Sequence, residues 1–195
     1  MDVWGFAQGS LPDFGGHLAS AAHRWEKSST PTKEAAVALL FMPPLPHQKE
    51  ARLVLTRRTL SVSTHKGQIS LAGGRREAGD LSVFDTAARE VEEEIGIPRK
   101  DLIPLGCLPP LISIDQSIVH PVLMASSVPD TDLLPAPDEV AELLLCPWTM
   151  FQRSASQQVE FQAFGIWRQS FLFETNFGMA WGLTAQILWE CNLQS

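Results

Sequence analysis

Two kinds of apolar run organise the first half of the chain. Residues 34–42, with the sequence EAAVALLFM, are apolar after the first position and lie between Thr-Pro-Thr and Pro-Pro. A short continuous run of this kind predicts a central strand that is buried on both faces. Residues 83–95 instead place apolar side chains at helical spacing, with Ser82 and Gly96 as the expected helix start and stop. The pattern therefore predicts a buried strand and, later, an amphipathic helix.

The remaining apolar runs predict a mixed α/β chain. Strand candidates lie at residues 52–56, 68–71, 102–108, 117–125, 139–145, 159–166 and 170–173, and helix candidates at 14–27 and 182–192. The strands at 34–42 and 52–56 are expected to pair as a hairpin with a longer loop. Periodicity alone leaves 139–145 open between helix and strand, and Pro147 favours a strand that turns into a short helix.

The chain shows no internal repeat, low-complexity tract or linker. We therefore expect a single domain at residues 34–195, with 1–33 as an N-terminal lead-in and helix packed on it. Gly73 and Gly74 are expected to form a turn that leads into the helix at 83–95.

Composition and charge argue against nucleic-acid binding. The chain has 195 residues, of which 45% are hydrophobic and 19% charged, as in an ordinary globular protein. Its net charge of −7 is unevenly spread, because the second half carries only Arg153 and Arg168 as basic residues. A nucleic-acid groove needs a basic face, so nucleic acid is not an expected partner.

Cysteine usage and the N-terminal sequence indicate a cytoplasmic setting. Cys107, Cys146 and Cys191 are an odd number at scattered spacings, which suggests neither a disulfide framework nor a zinc site. No apolar run approaches 18 residues, and the N-terminus lacks a basic start and an apolar core. A membrane is therefore not expected as a partner.

The amphipathic helix carries three carboxylates on one arc. At about 100° per residue, Glu93 and Glu94 fall within roughly 60° of Glu90, apart from the apolar stripe, while Glu92 points away. Such an arc can simply be a solvated acidic face. However, like charges at these spacings destabilise a helix, and no lysine lies on the arc to relieve them. The pattern therefore favours a site for Mg²⁺, Mn²⁺ or Ca²⁺, which prefer oxygen ligands.

A basic segment precedes this helix. Five arginines and lysines and one histidine lie between positions 57 and 76 without any acid: Arg57, Arg58, His65, Lys66, Arg75 and Arg76. This can be a surface loop with solubilising charge. Beside a carboxylate helix, however, it suits an anionic ligand, of which a phosphate ester is the first candidate.

These residues resemble the Nudix family of hydrolases. The helix sequence REVEEEIGI at 89–97 fits every fixed position of the REUXEEXGU half of the Nudix box, and Gly74 matches the glycine of its first half. The first half departs from the pattern, since Asp80 stands at the glutamate position and eight residues, not seven, separate it from Arg89.

The preceding stretch resembles one subfamily, the coenzyme A pyrophosphatases. LTRRTLSVSTHKGQISLAGG at 55–74 is similar to the motif that precedes their Nudix box, and this subfamily also tends to carry the aspartate and the longer spacing. Leu71 and Ala72 replace the usual Phe-Pro, and Ser63 stands where arginine is common. Residues 137–147 and 181–188 look like further segments of the same subfamily.

The resemblance implies an α/β fold, an α/β/α sandwich with a mixed β-sheet, and hydrolysis of a pyrophosphate bond with Mg²⁺ or Mn²⁺. The expected substrate is coenzyme A or a derivative, split into 3′,5′-ADP and 4′-phosphopantetheine. Two alternatives stay open: a broader hydrolase of ADP-ribose, NADH or a nucleoside triphosphate, and a non-catalytic nucleotide-binding protein. The partner is in each case a small nucleotide with a diphosphate, and a homodimer is compatible with the sequence.

The resemblance also implies roles for individual residues. The metal ligands would be the carbonyl of Gly74 and the side chains of Glu90, Glu93 and Glu94. Arg89 is expected to orient carboxylates such as Glu77 or Asp80. The general base is Glu93 by first choice and Glu139 as the alternate. Substrate contacts are expected from Arg58, His65, Lys66, Gly67 and Arg75. Trp167 and Trp181 are interpreted as core or cleft wall in preference to the alternative, a platform for an adenine ring.

Overall fold

The computed structural model describes Leu11 and residues 18–19, 33–45, 48–60, 66–163 and 165–192. His65, and all of the helix expected at 14–27 except residues 18–19, lie outside these ranges. Ala19 is not helical but forms an isolated antiparallel bridge with Cys107.

The described residues form two α-helices and eleven strands in one mixed sheet. The bounds are β1 Glu34–Met42, β2 Arg52–Arg58, β3 Ile69–Ser70, β4 Ala72–Arg75, α1 Val83–Ile95, β5 Leu102–Cys107, β6 Leu111–Ile112, β7 Ile118–Ser126, β8 Val140–Pro147, β9 Ser156–Ala163, β10 Ile166–Thr175, β11 Gly178–Trp181 and α2 Gly182–Cys191. The main strand order is β5-β7-β1-β2-β3-β11-β10-β9, with β4 on β1, β6 on β7 and β8 on β2.

The strand β1 is central and buried on both faces, as its continuous apolar run predicts. It pairs in parallel with β7 on one side and antiparallel with β4 and β2 on the other. Its even positions from Ala36 to Met42 pack in the cluster that includes α1. Leu39 and Phe41 pack in the second cluster, which includes α2. The sheet is therefore sandwiched between the two helices.

Most predicted elements are present at nearly the predicted positions. The helices at 83–95 and 182–191, the strand that turns into a short helix after Pro147, and the pairing of β1 with β2 are confirmed. That pairing covers only Phe41 and Met42, because β4 takes the rest of the same edge of β1. The short strands β6 and β11 were not predicted, since four or fewer residues carry no measurable period.

The expectation of a turn at Gly73 and Gly74 is wrong, because both residues lie in the strand β4. They are glycines because other groups approach closely. A Cβ on Gly73 would lie 2.5 Å from the carbonyl oxygen of Ala36, and one on Gly74 would collide with the carboxylate of Glu90. The missing side chains therefore allow α1 and β1 to pack directly against β4.

Replacing Gly73 by alanine should destabilise the protein by more than about 1 kcal/mol. Its φ of 155° and the contacts with Ala36 and Val37 leave no room for the added methyl group. Gly79→Ala is the matched control, because a Cβ there meets nothing within 4 Å and should change the free energy of unfolding by less than about 0.5 kcal/mol. Urea denaturation of both variants measures this, and equal stabilities would contradict the packing role.

Candidate active site

The helix α1 is fixed at both ends and along one face. The side chain of Ser82 accepts a hydrogen bond from the Asp85 N–H, and Gly96 ends the helix in a left-handed conformation. The apolar stripe packs in the core, with Ala87, Val91 and Ile95 fully buried. These constraints turn the acidic arc toward the outer edge of β4.

The three carboxylates of this arc have different environments. Glu94 is only 3% exposed and accepts a hydrogen bond from the Gly73 N–H at 3.4 Å. Burial raises the pKa of Glu94 to about 7, and the nearby charge of Glu90 adds to this effect. Burial also raises the pKa of Glu90, against the opposing effect of the Arg89 guanidinium. Glu93 has a side chain that is 57% exposed.

Arg89 provides a counterion for the acidic arc, on which no lysine lies. Its Nη1 lies 2.9 Å from a carboxylate oxygen of Glu90 and 2.8 Å from one of Glu93. Its Nη2 donates to the Arg75 carbonyl at 2.8 Å and lies 3.3 Å from Asp80. The like charges on α1 are therefore partly neutralised within the protein, and the expected contacts of Arg89 with box carboxylates are present.

Asp80 anchors the loop before α1. It accepts hydrogen bonds from the Glu77 N–H, from the Thr86 hydroxyl at 2.9 Å and from Arg89. Although burial raises its pKa, these donors hold the pKa of Asp80 below its usual value. The aspartate with its longer spacing thus fills the place of the usual glutamate as an acceptor for Arg89.

The main-chain groups on the outer edge of β4 belong to Gly73 and Arg75. The Arg76 N–H donates to the Glu34 carbonyl at 3.0 Å, so the next hydrogen-bonded pair of this antiparallel ladder is Gly74 with Ala36. The Gly74 carbonyl is therefore directed at β1, whereas the Gly73 main-chain groups point outward, in line with the N–H bond to Glu94. This geometry favours Gly73 over Gly74 as a main-chain ligand.

Glu139 reaches the same region from the loop before β8. The loop is tied to the end of α1, because the Leu134 and Ala136 N–H groups donate to the carbonyls of Ile95 and Glu94. The Thr59 N–H donates in turn to the Glu139 carbonyl at 2.9 Å. The negative charge of Glu139 raises the pKa of both Glu90 and Glu94, which places its side chain near them.

The basic residues before α1 divide into two groups. Arg57 pairs with Glu142 and Arg76 with Glu34, so both stabilise the sheet. Arg58 lies near Glu94, whose pKa its charge lowers, and its buried Nε makes no hydrogen bond to any residue that the structure describes. Arg58 is therefore the arginine best placed to receive an anion beside the carboxylates.

The other predicted substrate contacts lie at the edge of this region. Lys66 is exposed, and the Gly67 N–H donates to the Arg58 carbonyl at 3.2 Å with φ of 67°. Arg75 is largely exposed and lies 3.8 Å from Asp115. Trp167 and Trp181 are 68% and 51% exposed, so neither belongs to the core.

The donor set at the edge of β4 fits a hard divalent cation. Glu90 and Glu94 supply carboxylates, Gly73 directs a carbonyl outward, and a cation would favour the charged form of the buried Glu94. Arg89 lies 2.8 Å from Glu93 and 2.9 Å from Glu90, and within the described ranges no three His, Cys, Asp or Glu side chains already form a cluster that could hold a metal. The carboxylate arc is thus paired with arginine rather than gathered around one point.

Comparison with known proteins agrees with this fold and site. Residues 34–163 match the family described as the NUDIX domain. The chain is 32% identical over 168 residues to the "Uncharacterized Nudix hydrolase NudL" of Pectobacterium atrosepticum, and the match covers 86% of each chain. It is also 32% identical over 166 residues to "Nudix hydrolase 22, chloroplastic" of Arabidopsis thaliana, over 81% of this chain and 53% of that one.

Among solved structures, a MutT/nudix family protein from Enterococcus faecalis shares the fold with a TM-score of 0.52. It is 13% identical, and the match covers 87% of this chain and 63% of that one. The sandwich is thus an α/β fold of the Nudix type. The chain belongs to the Nudix family and is a pyrophosphohydrolase. Members of this family generally use divalent metal ions such as Mg²⁺.

No helix in the described part of the chain is both long and apolar enough to cross a bilayer.

Proposed function

We propose that this enzyme hydrolyses the pyrophosphate bond of coenzyme A or its derivatives. The supporting observation is the position of Arg58, which belongs to the motif before the Nudix box. Its buried Nε is available beside the carboxylates of α1, where a diphosphate would lie. A guanidinium at this position suits a phosphate group, because its donors match phosphate oxygens in pairs.

Two of the departures from the subfamily motif, Leu71 and Ala72, lie in the core. Leu71 is 5% exposed and packs in the cluster under α2, and Ala72 is 1% exposed and packs in the cluster under α1. The presence of Leu71 and Ala72 in place of Phe-Pro therefore changes packing in the core and not the surface that would meet substrate. Ser63 lies outside the described residues. The coenzyme A assignment thus keeps its support despite these differences.

In the proposed reaction, the oxygen of a water molecule attacks one phosphorus and the bridging P–O bond breaks. The products are 3′,5′-ADP and 4′-phosphopantetheine, and the water gives up a proton. Glu90, Glu94 and the Gly73 carbonyl would hold Mg²⁺ or Mn²⁺, which neutralises the diphosphate charge and lowers the pKa of a bound water. Arg58 would bind phosphate oxygens, while Arg89 keeps the box carboxylates in place.

We propose Glu139 as the general base. Glu93, the first choice from sequence, already has a carboxylate oxygen hydrogen-bonded to the Arg89 guanidinium at 2.8 Å, so this oxygen is not free to receive a proton from water. Glu139 has a side chain near both buried carboxylates and a main chain fixed to β2 and to the loop at the end of α1. The exposed Glu92 lies away from this region and has no role in the reaction.

A Mg²⁺-dependent substrate panel tests the proposal. Coenzyme A, ADP-ribose, NADH and a nucleoside triphosphate are compared by kcat/KM, and products are identified by mass. We expect coenzyme A to give the highest value, with 3′,5′-ADP and 4′-phosphopantetheine as products. Faster cleavage of ADP-ribose would support the broader hydrolase instead, and no turnover of any compound would support the nucleotide-binding alternative.

A further inference from the structure

On the side of the sheet where α1 packs, the strands β3, β11 and β10 continue beyond the helix, and Trp181 of β11 is exposed there. Ala180 and Phe173 pair across β11 and β10 and both pack under α2. Because side chains alternate along a strand, Trp181 and its partner Leu172 face the opposite side. Trp181 is 51% exposed on this surface. We call the surface formed by Ser70, Trp181 and Leu172 the open face; Thr56 of β2, next to Ser70, is buried at its edge.

The open face is continuous with the candidate active site. Thr56 pairs with Ser70 across β2 and β3, and their hydroxyl oxygens lie 3.2 Å apart. Arg58 lies two residues after Thr56 and therefore on the same face, near Glu94. The strand β11 lies two strands from β2, so the main chain of Trp181 lies about 10 Å from that of Thr56. A ribose and a phosphate bridge a distance of this order.

The chemistry of the open face suits a heteroaromatic ring. The exposed indole of Trp181 offers a flat apolar surface, while the Ser70 hydroxyl in the neighbouring strand can meet a polar ring edge. An alkyl chain would gain nothing from that hydroxyl. Trp167 provides a contrast. It is 68% exposed, but alternation along β10 places it on the face opposite to Leu172 and Arg168, away from the carboxylates.

We propose that Trp181 stacks on the purine base of the substrate, whose diphosphate lies between Arg58 and the carboxylates of α1. This inference rests on the proposed function, since it assigns a subsite of the same hydrolytic site. It holds equally for coenzyme A and for ADP-ribose, because both carry adenosine 5′-diphosphate.

Binding of an inert nucleotide tests this subsite without turnover. The probe is adenosine 5′-(α,β-methylene)diphosphate with Mg²⁺, and methylenediphosphonate serves as the probe without a base. Calorimetry should show that Trp181→Ala weakens nucleotide binding at least about fivefold, the lower end of the effects of losing one stacked base. Trp181→Phe should bind nearly as tightly as the wild type, since it keeps an aromatic face.

Two controls separate stacking from general damage. Trp167→Ala should leave nucleotide binding unchanged, and Trp181→Ala should leave methylenediphosphonate binding unchanged. The proposal is overturned if Trp181→Ala binds the nucleotide as tightly as the wild type, if it weakens both probes equally, or if the wild type binds no nucleotide. Since neither probe is hydrolysed, a negative result for coenzyme A cleavage would leave this test readable.

Discussion

Replacing Glu139 by glutamine should lower kcat by about 10² to 10⁴-fold, the range for losing a general base, with a much smaller change in KM. Glutamine keeps the shape of the side chain but cannot accept the proton of the attacking water. The loop should keep its position, because it is held by main-chain bonds from Thr59, Leu134 and Ala136. Steady-state kinetics with saturating Mg²⁺ over a range of pH measures the effect.

Two glutamate-to-glutamine substitutions on α1 serve as comparisons. Glu92→Gln should keep nearly full activity, because Glu92 is exposed and faces away from the arc. Glu93→Gln should lose less activity than Glu139→Gln, since in our proposal Glu93 acts only through its bond to Arg89. A loss of 10²-fold or more in Glu93→Gln together with an active Glu139→Gln would return the role of general base to Glu93.

The sequence predicts the fold well where a pattern is long enough to carry a period. The helix α1 has the predicted bounds, because its apolar stripe, the Ser82 cap and the Gly96 stop all agree. The strand β1 is likewise central, as eight consecutive apolar positions after Glu34 require two covered faces. By contrast, β6 and β11 have two and four residues, and their existence depends on the partners β7 and β10.

The site was predictable as a set of residues but not as an arrangement. Helical phase correctly separates Glu90, Glu93 and Glu94 from the core, but it does not reveal which of them is buried. That depends on β4, whose glycines bring its edge against α1 so that Glu94 is covered and Glu93 is not. The pairing of Arg89 with two of these carboxylates also depends on rotamers, which spacing along the chain does not determine.

The basic residues before α1 also could not be divided into structural and anion-binding residues without knowing the sheet. Arg57 and Arg58 are adjacent in sequence and equivalent in composition. Alternation along β2 sends Arg57 to Glu142 and the Phe177 carbonyl on one face, and Arg58 to the carboxylates on the other. Only Arg58 can bind an anion at the site. Which arginine can do so therefore depends on the register of β2.

Glu94→Gln should abolish the response of the protein to Mg²⁺ while making the metal-free protein more stable at pH 8. Burial raises the pKa of Glu94 from 4.5 to about 7, so the folded state holds this proton more tightly than the unfolded state. The associated stability is fully present below pH 4.5 and is lost as pH rises through about 7. At 1.36 kcal/mol per unit, the charged carboxylate costs the metal-free protein up to about 3 kcal/mol at pH 8.

Glutamine removes this cost, because its neutral amide can still accept the hydrogen bond from the Gly73 N–H. Without the charge, however, the site loses a ligand. We expect Mg²⁺ to raise the melting temperature of the wild type but not that of the variant. Urea denaturation at pH 5 and pH 8 in EDTA, followed by thermal melts with Mg²⁺, measures both effects, with Glu92→Gln as the exposed control. A variant that is less stable than the wild type at pH 8 in EDTA, or that still gains stability from Mg²⁺, would show that Glu94 is not the buried ligand of the site. The two expected changes have opposite sign because the same buried charge destabilises the empty site and attracts the cation.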